Sequence, residues 1–118
     1  MLAVGEHLLG SVTDREVRMA TGFAAGIGHT YVDNCGAFSA GAMIISALYG
    51  RSTVEKDDEL CQALVAEFRD RFQDRFGTLI CSELREEKYG SGRNEPCSTL
   101  VERASQILLD VIDEYESG

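Results

Sequence analysis

Apolar and polar residues along the chain recur mostly at helical spacing, and strand-like alternation is scarce. The opening "MLAVGEHLL" is a short amphipathic helix that starts abruptly, without a capping residue. "TDREVRMATGF" carries a capping box. Thr13 can accept from the amide of Glu16 and the Glu16 side chain can reach back, with Val17 and Ala20 facing inward. Residues 22–34, "GFAAGIGHTYVDN", have no helical period and predict a long loop.

Asn34 is suited to cap the next helix, which runs over about residues 35–49 and is apolar nearly all round. A helix with no polar face belongs in the centre of a domain. Gly36, Ala37, Ala40 and Gly41 let neighbours approach its first turns, and Gly50 ends it. A longer helix is expected from about Val54 to Phe76, with Leu60, Leu64, Phe68 and Phe72 on one stripe and Cys61 and Val65 beside it. Arg69, Asp70, Arg71, Asp74 and Arg75 would face water, and Gly77 stops the helix. Thr78 is placed to cap a short helix, "LICSELREE", followed by a polar loop at residues 88–95. The last helix should begin near Pro96, since proline suits the first turn. Its inner stripe would be Leu100, Val101, Ala104, Ile107, Leu108, Val111, Ile112 and Tyr115. The expected fold is therefore all-α, a compact bundle of five to six helices around the 35–49 helix, in a single domain over residues 1–118.

Length and composition support this picture. A chain of 118 residues suits one domain, and 44% apolar residues argue against disorder. The net charge of −9 disfavours nucleic acid or an anionic membrane as partner, because both attract positive surfaces. No stretch reaches the roughly 18 consecutive apolar residues of a membrane span, and the N-terminus lacks the basic start of a secretory signal. A cytoplasmic location is expected.

In that setting cysteines are metal ligands or redox thiols more often than permanent cross-links. The chain has four, Cys35, Cys61, Cys81 and Cys97, with no CxxC pair, which removes the usual thioredoxin and zinc-ribbon signals. Cys35, Cys81 and Cys97 each fall in or near the first turn of an expected helix. Unpaired amides and the helix dipole there favour a thiolate. Cys61 falls on the apolar side of a helix and reads as a small core residue. The loop "GIGHTY" offers free amides and His29, which reads first as an ordinary loop histidine and is kept as a candidate cofactor contact. It fails the phosphate-loop template, because no strand precedes it and no Lys-Ser/Thr follows. The acidic runs 55–59 and 110–116 read as solvated faces.

"NCGAFSAGAMIISALYGR", "EFRDRFQDRFGTLICSEL" and "CSTLVERASQIL", in this order, resemble the redox-active protein family named for a C…CGAxxG…C…C cysteine pattern. "TGFAAGIG" is similar to the glycine-rich stretch of that family. The resemblance covers residues 22–109. It matches Cys35, Gly36 and Ala37 to the CGA tripeptide, and Cys81 and Cys97 to the last two cysteines. The motif's second glycine is replaced by Ala40, with Gly41 one place later. The family's first cysteine precedes the first helix and has no counterpart here, as though the N-terminal helix were truncated. Cys61 sits at no family position.

The resemblance implies a small helical redox or metal-cluster protein that serves oxidoreductase or transport systems. Three functions stay open. In a thiol redox protein or thiol oxidoreductase, Cys35 would exchange and Cys81 or Cys97 would resolve it through a disulfide. In a binding module, Cys35, Cys81 and Cys97 would ligate an iron–sulfur cluster or a thiophilic metal ion, with Gly36, Ala37 and His29 near the cofactor. In a helical interaction domain, all the cysteines would be core. Homo-oligomerisation stays open in each.

Overall fold

The computed structural model describes residues 1–86 and 97–118. Among them are six helices and no strand: α1 (Leu2–Leu9), α2 (Asp14–Thr21), α3 (Gly36–Tyr49), α4 (Glu59–Phe76), α5 (Cys81–Glu86) and α6 (Cys97–Ser117). The polar loop expected at residues 88–95 and the helix start at Pro96 lie outside the described residues.

The expected all-α bundle is the architecture found, with α3 as its central helix. It packs against α1, α4 and α6, and α4 packs against α6. Ile45 of α3, Phe68 and Phe72 of α4, and Ala104, Leu108 and Ile112 of α6 are fully buried where these three helices meet. Four phenylalanines run through this core. Phe38 stacks on Phe68 with ring centroids 5.5 Å apart, Phe68 meets Phe72 edge-on at 6.1 Å, and Phe72 meets Phe76 edge-on at 4.7 Å. Such pairs add about 0.5–1.5 kcal/mol each beyond the apolar area they bury.

The two α3 faces explain why its sequence is apolar all round. Ala37, Phe38, Gly41, Ile44 and Ile45 are buried. Ala40, Met43 and Ala47 line an open groove of 680 Å³ shared with α1 and α2. No helix among the described residues is long and apolar enough to cross a membrane.

Several expected details shift. Thr13 does cap α2: its hydroxyl accepts from the Glu16 amide at 3.2 Å and donates to the Glu16 carboxylate at 3.0 Å. Val17 and Ala20 point toward the groove, yet α2 buries no residue and Val17 is exposed. The groove is open, so an inward direction does not amount to burial.

Helix α4 begins at Glu59, later than the apolar pattern suggests. Arg51 Nη1 donates to the carbonyls of Val54 and Lys56, holding that segment in a turn, and Asp57 accepts from the Glu59 amide at 2.8 Å. The buried stripe is Cys61, Leu64, Phe68, Phe72 and Phe76, while Leu60 is exposed. Arg71 faces α6 as well as water, pairing with Glu67 at 2.8 Å and with Glu114 across the helix interface. Tyr115, expected on the inner stripe of α6, is exposed and meets Tyr49 edge-on at 5.4 Å.

Candidate functional site

The segment between α2 and α3 is a left-handed turn. Ala25, Gly26, Ile27, Gly28 and His29 have φ of +51°, +66°, +62°, +61° and +63°, and Tyr31 has +64°. L-residues pay about 1–2 kcal/mol each for this conformation, so a run of them needs support from elsewhere. Backbone hydrogen bonds inside the turn supply part of it: Gly28 to Gly22 at 2.7 Å, His29 to Ala24 at 3.2 Å and Tyr31 to Ala25 at 3.1 Å. The Thr30 hydroxyl donates to the carbonyls of Gly26 and Ile27 at 2.9 and 3.0 Å.

The remaining support comes from the start of α5. Asn34 forms an isolated antiparallel bridge with Ile80. The Cys35 amide donates to the Leu79 carbonyl at 2.7 Å, and the Cys81 amide donates to the Asp33 carbonyl at 2.9 Å. The Ser82 amide donates to Tyr31 at 2.8 Å. These bonds flank Asn34 and Ile80, which therefore form a non-hydrogen-bonded pair. Cys35 and Cys81 follow the two bridge partners in the chain, and their amides make the hydrogen bonds on either side of the bridge. Cys35 belongs to the main apolar core and Cys81 does not. Both cysteines are buried, at 8% and 9% relative exposure.

The bridge also changes both helix starts. Asn34 is held in extended backbone and is not the cap expected of it. Cys35 takes the N-cap position of α3, with no side-chain capping bond. Thr78 accepts from the Ile80 amide at 3.1 Å, but Leu79 and Ile80 join the bridge and α5 starts only at Cys81. Of Cys97, the backbone is described as the first residue of α6.

Cys61 lies elsewhere. It is 6% exposed in the core and donates to Ser46 Oγ at 3.7 Å. Ser46 is eleven residues beyond Cys35, about 16 Å along α3. Gly36 packs on the turn: a Cβ there would lie 3.2 Å from Phe23 O and 3.2 Å from Ala24 Cα. Ala37 is buried in the core. His29 is exposed, its ring edge-on to Tyr31 at 5.7 Å.

Two relationships were not foreseen from the sequence. Gly26 lies directly against Cys81, since a Cβ on Gly26 would stand 2.6 Å from Cys81 Cβ. Arg85 of α5 places Cζ 4.7 Å from the centre of the Tyr31 ring. The lack of helical period over residues 22–34 signalled a loop, but not which side chain it would pack against.

Among the described residues, no group of three His, Cys, Asp or Glu side chains could hold a metal ion. The side chain of Cys97, the third ligand of the expected set, lies outside the described residues.

A family model described as "Putative redox-active protein (C_GCAxxG_C_C)" matches residues 1–111. The chain belongs to this family. The family label orders its tripeptide Gly-Cys-Ala, whereas this chain reads Cys35-Gly36-Ala37, and no cysteine precedes Cys35 in the sequence. No curated protein and no solved structure matches the chain.

Proposed function

We propose that the protein is a thiol redox carrier in which Cys35 exchanges with a partner disulfide and Cys81 or Cys97 resolves it. The observation that supports this reading is the Asn34–Ile80 bridge, which joins the two chain segments that carry Cys35 and Cys81. Family membership agrees with it.

The Cys35 thiolate attacks one sulfur of the partner disulfide, forming a mixed disulfide and releasing one partner thiolate. The second cysteine then attacks the Cys35 sulfur and expels the other partner thiolate. The partner disulfide gains two electrons, the protein's two thiols lose them, and the two thiol protons end on the released partner sulfurs. A disulfide requires Cβ atoms about 3.5–4.5 Å apart. A bond from Cys35 to either resolving cysteine would bring the two Cβ atoms to that spacing.

Equilibration of the reduced protein in a glutathione series, followed by peptide mapping, tests this. The expected product is a disulfide joining Cys35 to Cys81 or Cys97, with Cys61 still a thiol. No intramolecular disulfide at any potential, or one that uses Cys61, overturns the reading. Stoichiometric iron or zinc in anaerobically prepared protein, lost in Cys35→Ser, would replace it with the metal-binding alternative.

A further inference from the structure

The geometry points to a lid over Cys81, formed by residues 25–31, whose opening controls reagent access to that thiol. Three features converge. Gly26 presses its backbone onto Cys81, leaving no room for a Cβ between them. Tyr31 anchors the turn to α5 twice, accepting from the Ser82 amide at 2.8 Å and placing its ring under Arg85. The turn itself holds Ala25, Ile27, His29 and Tyr31 at positive φ, a conformation that favours glycine. The closed lid is therefore held by contacts to α5 against its own backbone preference. Such an element opens locally without global unfolding.

This inference goes beyond the redox reading. It concerns access to Cys81 whether or not that thiol exchanges disulfides in function. The sign of each substitution follows from the geometry. Ala25→Gly and His29→Gly remove the cost of positive φ and favour the closed lid. Gly26→Ala adds that cost and drives a methyl group into Cys81, favouring the open lid. Arg85→Ala removes the cation from the Tyr31 ring and also favours opening.

Timed iodoacetamide labelling of fully reduced protein, read by peptide mapping, gives the rates at Cys81 and Cys61 together. Cys61 in the core reports global unfolding. The glycine double variant should slow Cys81 labelling by about threefold or more. Gly26→Ala should speed it by about tenfold, with the Cys61 rate unchanged in both. If Gly26→Ala does not fold, Arg85→Ala supplies the opening arm, with a smaller acceleration of about twofold to fivefold. Cys81 rates unchanged in the glycine double variant, or Cys81 and Cys61 rates moving in parallel, overturn the lid. A lid that behaves as expected in a protein that forms no disulfide would leave this inference standing and remove the redox one.

Discussion

Gly41 of α3 lies against the ring of Phe68 of α4, so closely that a Cβ at Gly41 would stand 2.6 Å from Phe68 Cζ. Phe68 is fully buried and stacked on Phe38, so its ring cannot swing aside without disturbing the α3–α4 contact. Glycine at this position sets how near the two helices come.

Gly41→Leu should therefore destabilise the fold by roughly 1–3 kcal/mol, the usual cost of overpacking a core. The midpoint of urea denaturation measures it. An unchanged midpoint would mean that α3 and α4 do not meet at Gly41.

Cys61 is a packing residue whose thiol touches Ser46. Cys61→Ala should cost about 1 kcal/mol, in keeping with a small cavity at one buried side chain. The disulfide pattern of the oxidised protein should not change. A different pattern in this variant would bring Cys61 into the thiol chemistry.

Thr13 caps a helix that buries no residue. Thr13→Ala should weaken α2 by about 0.5–2 kcal/mol. Faster amide exchange confined to residues 17–21, with little change in Tm, is the expected result. A large fall in Tm would show that α2 carries more of the global stability than its burial indicates.

Tyr49 should titrate late. Burial first, then the hydrogen bond its hydroxyl donates to Glu116 at 2.8 Å and the carboxylate's charge, push its pKa up to about 12. The raised value means the folded state holds the phenolic proton more tightly than the unfolded chain does. This contribution to stability is complete below about pH 10 and is lost as pH rises toward 12. Absorbance near 295 nm follows the titration, and Glu116→Gln should bring it to lower pH. No change in that variant would remove Glu116 as a cause.

Local pattern sufficed wherever a residue's role depends on its near neighbours in the chain. The capping box of Thr13 and Glu16, the stop at Gly77, the central apolar helix and the core position of Cys61 all follow from spacing within a few residues. Such features rest on short-range hydrogen bonds and helical periodicity, which the sequence expresses directly. The order of cysteines and glycines likewise pointed to the family.

Tertiary structure decided the rest. The pairing of residues 33–35 with 79–81 closes a long stretch of chain, and no local pattern encodes which two extended pieces will meet. That pairing moved the cap of α3 from Asn34 to Cys35 and delayed α5 to Cys81. It also laid a left-handed turn against Cys81: a missing helical period can announce a loop, but only packing determines that Gly26 bends onto Cys81.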